Sequence, residues 1–267
     1  MLLAVGLSVP PAIAAGRSAE LHELTRLLGF AETVQIMREE GLSYGAELRD
    51  SMVPDASPAV WEAAVARIYD TDKMLDVVTE EFDTALAGAD LAPMLAYFRG
   101  DEGQEIVRME LAARRAFMAE GIEDGARAMV AELAEADAPL LGQVDTLIAD
   151  SDMVEFNVMG QLNAQLNFYR GLVEGGAFEM TEEEMLSDVW AQEEAAREDS
   201  RDWLRAFMTM AYQPVDDPVL ERYAEFYRTE PGQDLNRALF AGFDRMYDEL
   251  SYLLGFAVAE QMRSQPL

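Results

Sequence analysis

Two arginines occupy nearly identical surroundings in the chain, and their side chains could bind an anion. Arg99 lies in YFRGDEGQEIVR (97–108), and Arg228 lies in FYRTEPGQDLNR (226–237), 129 positions further on. A guanidinium can hold a carboxylate or a phosphate of a ligand with two parallel hydrogen bonds. The same side chain can instead pair with the acids of its own turn and cover an aromatic ring. The repeated arginines therefore predict either a binding site or a structural corner.

The rest of this repeated motif consists of an aromatic pair, a glycine and a glutamine. The aromatic pairs could form a ligand platform, although rings at a helix end more often belong to the core. A glycine inside a helix costs up to about 1 kcal/mol relative to alanine, so its repetition indicates close packing by the aromatic pair or a neighbouring backbone. The candidate binding residues are Tyr97, Phe98, Arg99, Gly103, Gln104, Phe226, Tyr227, Arg228, Gly232 and Gln233.

Most familiar catalytic chemistry lacks the side chains that it needs. The chain has no cysteine and a single histidine, His22, which excludes thiol catalysis, cysteine metal sites, serine triads and histidine-containing di-iron sites. Asp70 and Asp72 begin like a calcium loop, but Leu75 stands where that loop needs glycine. Glycosidase chemistry needs only two carboxylates, and no pair can be selected among 51 acids. We predict no catalytic residue, no metal ligand and no cofactor.

The acidic residues set the electrostatic character of the chain, whose formal charge is −31. Such a surface repels nucleic acid and anionic lipid headgroups, because phosphate binding depends on clustered cations. It would suit divalent cations or a basic partner. A generally acidic or salt-adapted proteome would produce the same balance without a partner. The charge therefore excludes nucleic acid as a partner and does not choose between divalent cations, a basic partner and salt adaptation.

The first residues, 1–15, predict a signal peptide for export. An apolar run from Leu2 to Val9 is followed by two prolines, and Ala12-Ile13-Ala14 has the small-x-small pattern that signal peptidase accepts. The run is too short to cross a bilayer, and no later segment approaches eighteen uninterrupted apolar residues. We expect a periplasmic protein whose mature form has no transmembrane segment.

The elements that position the motif are predicted to be helices. Alanine, leucine, glutamate, methionine and arginine are abundant and β-branched runs are scarce, which indicates an all-α protein. Trp61 and Trp190 lie at the same spacing of 129 as the two motifs. We predict two tandem, similar helical repeats, 18–135 and 150–264, joined near 135–150 and packed as an extended bundle-like body.

Several helix boundaries can be predicted from local signals. Thr181 and Glu184 fit a capping box. The second helix, Phe30 to Met52, is expected to be interrupted near Gly41 and Gly45. Another boundary is expected between Glu198 and Arg201, and Asp101 and Thr229 are the expected N-caps within the two motifs.

The second motif copy resembles a known family signature. FYRTEPGQDL (226–235) follows one helix, precedes a longer one, and resembles the Phe-Tyr-x-Ser/Thr-x-x-Gly-Gln pattern of domain-of-unknown-function family 2059. The copy at 97–106 has its aromatic residues in reverse order and Gly100 at the hydroxyl position. Where the family usually has lysine, this chain has Glu105 and Asp234. The resemblance implies an exported helical protein of a Gram-negative bacterium and implies no activity.

The sequence favours a non-catalytic binding or scaffolding module of the cell envelope, with an unidentified envelope protein or ligand as its partner. One alternative is a carboxylate-dependent hydrolase of envelope polymers, which requires a deep cleft with two acids about 5–10 Å apart. Another is a weak binder of divalent cations, which calcium would stabilise more than sodium at equal ionic strength.

Overall fold

The chain folds entirely into helices over the range that its structure describes. The computed structural model describes the backbone of residues 11–264 and the side chains of residues 16–264. All regular structure in that range is α-helical, which confirms the predicted all-α class. Of the predicted signal peptide, residues 1–10 lie outside the described residues. The helices are α1 (Pro11–Leu27), α2 (Phe30–Met52), α3 (Pro58–Ile68), α4 (Thr71–Ala85), α5 (Ala92–Phe98), α6 (Asp101–Phe117), α7 (Ile122–Glu135), α8 (Pro139–Asp150), α9 (Met153–Glu174), α10 (Glu182–Trp190), α11 (Glu193–Tyr212), α12 (Asp217–Tyr227) and α13 (Glu230–Ser264).

Side-chain caps account for several of these helix ends. The predicted capping box of α10 is confirmed, because the Glu184 backbone N–H donates to Thr181 Oγ1 at 3.3 Å and the Thr181 backbone N–H donates to Glu184 Oε2 at 2.8 Å. Thr229 caps α13 by accepting a hydrogen bond from the Gly232 backbone N–H at 3.2 Å. The expectation for Asp101 is wrong, since Gly100 occupies the N-cap of α6 and Asp101 is its first residue.

Two predicted interruptions are absent for packing reasons. Helix α2 continues through Gly41 and Gly45, and these glycines allow Tyr69 at the end of α3 and Val65 within it to pack directly against the α2 backbone. The boundary expected between Glu198 and Arg201 lies instead at residues 191–192. Helix α11 runs on because its buried stripe continues without a break, through Ala196, Ser200 and Leu204.

Helix α13 crosses α9 with the two backbones in direct contact. A Cβ atom on Gly171 would fall on the Tyr252 carbonyl oxygen, and one on Gly255 would fall on the Phe168 carbonyl oxygen. These two glycines therefore allow an approach that any larger residue would prevent. Within residues 11–264, every helix is too short or too polar to cross a lipid bilayer.

The first half (α1–α6) and the second half (α8–α13) have matching internal contacts. In each half the first helix packs on the fifth, and the second packs on the third and fourth. The fourth helix packs on the long sixth helix of the other half, so that α4 contacts α13 and α11 contacts α6. One hydrophobic core consequently contains residues from both halves, from Leu21 to Ala259.

The predicted tandem duplication stays a hypothesis, which these matched contacts support. The segment expected to join the repeats, 135–150, contains α8, which packs on α12 as α1 packs on α5. The two aligned tryptophans differ in environment. Trp61 is 1 % exposed and donates its indole N–H to the Gly45 carbonyl at 2.7 Å, whereas Trp190 is 54 % exposed.

Candidate functional site

Both copies of the motif form the same structural corner, which we call the motif corners, residues 97–108 and 226–237. A Cβ atom on Gly103 would lie 2.5 Å from the Tyr97 carbonyl oxygen, and one on Gly232 would lie still closer to the Phe226 carbonyl oxygen. The preceding helix end therefore passes directly over each glycine. This contact is the close packing that the repeated glycine predicts.

The motif glutamines hold the helix ends together at each corner. Gln104 Nε2 donates to the carbonyl oxygens of Phe98 at 2.7 Å and Leu27 at 3.0 Å, which end α5 and α1. Gln233 Nε2 makes the corresponding bonds at the ends of α12 and α8, at 2.6 and 3.1 Å. The carbonyls in the last turn of a helix have no partner within the helix. The glutamines are therefore structural in this fold.

Each motif arginine is paired with an acid from a distant helix. Arg99 donates from Nε and Nη2 to the two carboxylate oxygens of Glu23, at 2.8 and 2.5 Å. Arg228 Nε donates to Asp150 Oδ2 at 2.6 Å. The arginine side chains remain 52 % and 49 % exposed. The expected pairing with the acidic turn of the motif itself is wrong, because the acids come from α1 and α8, whose ends the corners contact.

The aromatic residues of the motif join the two corners. The Tyr97 and Phe226 rings, which occupy equivalent positions, stack at 4.6 Å between centroids with 15° between their planes. Phe98, Phe226 and Tyr227 are buried. These rings therefore belong to the contact between the halves, and two of them, Phe98 and Tyr227, also line a cavity between the helices.

The structure reveals a central cavity that the sequence did not predict. Its volume is about 340 Å³, and helices α2, α5, α6, α9, α11, α12 and α13 contribute to its wall. A cavity of this size can hold one small organic molecule. Aromatic rings dominate the wall, and its acidic and basic side chains are Glu110, Arg114 and Asp244.

Glu110 presents a carboxylate to this cavity from α6. Its Oε1 atom accepts hydrogen bonds from the hydroxyls of Tyr212 at 2.6 Å and Tyr223 at 2.9 Å. Its Oε2 atom has no hydrogen-bond partner among the described residues. Burial raises the pKa of Glu110 above its ordinary value, and the two hydroxyls oppose that rise. Glu110 lies seven residues after Gly103, so the motif corner that fixes α6 also positions this carboxylate.

Arg114, one turn later, has its charge neutralised from outside the cavity. It donates from Nε and Nη2 to both oxygens of Glu40, at 3.0 and 2.8 Å, and from Nη2 to the Tyr247 hydroxyl at 3.2 Å. Glu40 lines a surface groove of about 770 Å³, which the cavity adjoins because Met37 and Tyr247 line both. The wall between groove and cavity therefore includes this ion pair.

Asp244 contributes the second carboxyl of the cavity, from α13. Burial, reinforced by the nearby Asp248, raises the pKa of Asp244 from its ordinary 3.8 to about 7. Gly160 of α9 leaves the space that the carboxyl occupies, since a Cβ atom there would collide with Asp244 Oδ1. This acid therefore changes its charge near neutral pH.

The sequence contained a signal for both acids. Glu110 follows Gly103, Ile106 and Val107 on the buried stripe of α6. Asp244 stands beside Phe243 on α13, within a run of cavity-lining aromatic residues. A charged residue on an apolar helix face is a candidate for a buried site, so the pattern marks these two positions without identifying the hydroxyls that bind Glu110.

Comparison of the chain with family models, with curated proteins and with solved structures gave no match. The resemblance to family 2059 therefore stays a prediction. Among residues 11–264, no three acidic or histidine side chains are grouped so that they could hold a metal ion.

Proposed function

We propose that the protein is a non-catalytic binding module that holds one small, largely apolar molecule in its central cavity. The observation that supports this proposal is the cavity itself, which is about 340 Å³ in volume and lined mainly by aromatic and aliphatic side chains. Ligand sites commonly combine such apolar walls with a few polar groups that orient the ligand. Glu110 and Asp244 are the polar groups that would do so here.

The location of this activity is part of the same proposal. We place the protein in the periplasm, as a component of the cell envelope. Supporting this placement are the small-x-small pattern at Ala12-Ile13-Ala14 and the resemblance of 226–235 to the signature of an exported family.

The motif corners have a structural role in this proposal. Their arginines and glutamines are already bonded within the protein, and their aromatic rings pack between the halves. The corners determine where α6 and α13 begin, and these two helices carry Glu110 and Asp244. A partner that binds the corners directly would have to displace existing ion pairs.

A probe that fluoresces in apolar surroundings tests the proposed site. We expect the neutral dye N-phenyl-1-naphthylamine to bind the full-length protein and its emission to shift to the blue. Leu239→Trp would fill part of the cavity, because Leu239 lines it, and should weaken dye binding by about tenfold or more. Leu186→Trp, on the exposed surface of α10, is the matched control and should leave binding unchanged.

The outcomes of this experiment separate the cavity from other surfaces. If wild-type protein does not bind the dye, or if both tryptophan variants bind it equally, the cavity is not the binding site. Circular dichroism of the two variants confirms that each has kept its helical fold.

The hydrolase remains a second candidate because two carboxyls line one cavity. Burial raises the pKa of both Glu110 and Asp244, as a general acid requires. The volume of the cavity favours binding, since about 340 Å³ suits one small molecule and a polymer chain requires a longer cleft. Soluble fragments released from purified peptidoglycan by the wild type, and not by Glu110→Gln, would favour the hydrolase.

A further inference from the structure

One of the two carboxylate oxygens of Glu110 has no hydrogen-bond partner among the described residues. Glu110 lines the cavity, and its Oε1 atom accepts hydrogen bonds from Tyr212 and Tyr223, whereas its Oε2 atom accepts none. Glu110 is partly exposed and stands in a largely apolar wall, where a cation or further donors would stabilise its ionised form. A positively charged ligand would supply that compensation.

Arg114, the basic side chain of the cavity wall, does not compensate the charge of Glu110. Arg114 is held by Glu40 and the Tyr247 hydroxyl, so its charge is balanced by an acid outside the cavity. Glu110 and Asp244 remain as wall acids without a basic partner among the described residues. The wall therefore attracts positive charge wherever either carboxyl is ionised, and the net charge of −31 concentrates cations around the whole protein.

The aromatic side chains of the wall fit the same ligand. Trp203 and Phe207 stack at 5.0 Å between centroids, and Phe240 and Phe243 line the wall from α13. The face of an aromatic ring attracts a cation, and this attraction is strongest where water is excluded. A cavity whose wall combines aromatic rings with a carboxylate can recognise an ammonium group.

We infer that the ligand of the central cavity is an organic cation, an ammonium group carried on an apolar or aromatic body. The inference rests on the proposed function, since it names the chemical class of the molecule that the cavity holds. The ammonium lies against Glu110 Oε2, and the apolar body occupies the aromatic part of the cavity.

Three probes of matched shape test this inference. Benzyltrimethylammonium, neopentylbenzene and phenylmethanesulfonate share a benzyl group and a tetrahedral head, and their heads are positive, neutral and negative. Each is titrated against the full-length protein by displacement of N-phenyl-1-naphthylamine. We expect the cation to bind about tenfold or more tightly than the neutral probe, and the anion to bind more weakly than either.

Other outcomes distinguish this inference from the proposed function. If the cation and the neutral probe bind equally, or if the neutral probe binds more tightly, the cavity binds apolar molecules and the preference for a cation is wrong. If the anion binds most tightly, the cavity prefers a negatively charged ligand and the inference is wrong. If no probe displaces the dye and the dye itself fails to bind, the proposed function fails.

A conservative variant identifies the responsible side chain. Glu110→Gln keeps an acceptor for Tyr212 and Tyr223 and removes the charge, so it should abolish most of the preference for the cation and leave binding of the neutral probe intact. Glu102→Gln removes a charge from the same helix, where Glu102 pairs with Arg222 on the surface, and should keep the preference. Equal preference in both variants would exclude Glu110 as the recognition group.

Discussion

At the scale of the residue, each motif glycine is required by a contact and not by a strained backbone angle. Gly103 and Gly232 have ordinary helical conformations, since neither is among the residues with positive φ. The carbonyl oxygens of Tyr97 and Phe226 occupy the space that a Cβ atom would need. Glycine has a low helix propensity, but its lack of a side chain allows the preceding helix to end in contact with the next one.

Replacing these glycines should destabilise the protein even though alanine is the better helix former. We expect Gly232→Ala to lower the free energy of unfolding by about 1–3 kcal/mol, because the new methyl group collides with backbone that cannot move freely. Gly142→Ala in α8 is the matched control: its Cβ atom would meet nothing within 4 Å, so it should stabilise by up to about 1 kcal/mol. Urea denaturation measures both. Equal effects in the two variants would contradict the close contact.

Asp244 should make stability depend on pH in a recognisable way. The folded protein holds the Asp244 proton more tightly than the unfolded chain does, because its pKa rises from 3.8 to about 7 on folding. The stabilisation is therefore complete below about pH 4 and is lost as the pH rises to about 7. With allowance for solvent screening, we expect this loss to be about 1–2 kcal/mol.

The matching variant isolates this contribution from the other carboxyls. Asp244→Asn cannot titrate, so its stability relative to the wild type should increase between pH 4 and pH 7. Chemical denaturation across that range provides the comparison. A difference between the two proteins that does not change with pH would show that Asp244 has an ordinary pKa.

Residue-scale prediction from sequence succeeds where the cause is local. The penalty for glycine within a helix is a property of the segment itself, so repeated glycines could be interpreted as close contacts. The partners of Arg99 and Arg228 could not be identified, because Glu23 and Asp150 lie on other helices. Glu110 was missed because its role depends on hydroxyls of α11 and α12 that sequence position alone does not bring near.

At the scale of the element, the two aligned tryptophans show that equivalent sequence positions can have different environments in the fold. Trp61 on α3 is enclosed beneath α2, and Trp190 ends α10 at the surface. The boundaries of helices were predicted well where a capping residue fixes them, as at Thr181. They were predicted poorly in α2 and α11, where tertiary contacts maintain a helix across glycines or polar residues.

A pair of identical substitutions tests this difference. Trp61→Phe should lower the free energy of unfolding by about 1–3 kcal/mol, because it leaves unfilled space and removes the hydrogen bond to the Gly45 carbonyl. Trp190→Phe should change it by no more than about 0.5 kcal/mol. Urea denaturation followed by circular dichroism measures both. Comparable losses would mean that the two tryptophans have equivalent environments.

At the scale of the whole molecule, the excess of acids opposes folding through mutual repulsion. The formal charge of −31 is spread over a fold whose ion pairs lie mainly at or near the surface. Raising sodium chloride from about 0.01 M to about 0.15 M shortens the screening length from about 30 Å to about 8 Å. The melting temperature should therefore rise with salt.

Calcium tests the divalent-cation hypothesis separately from this screening. The cavity proposal assigns calcium no site, so it expects calcium chloride and sodium chloride at equal ionic strength to give the same melting temperature. A larger rise with millimolar calcium would support the divalent-cation hypothesis. The sequence predicted the charge fully, whereas the distribution of acids between surface and cavity depends on the tertiary fold.

The packing of α4 on α13, a helix of the other half, affects when the first half can fold during synthesis. Helix α13 follows α4, α9 and α12 in the chain and therefore leaves the ribosome after them, yet all three pack against it. Until α13 emerges, Val78 and Phe82 of α4, which α13 covers at Gly242, have no partner from that helix. The nascent first half therefore cannot complete its core before α13 has emerged. A chaperone that holds unfolded chains would find its binding sites in α4 during this interval.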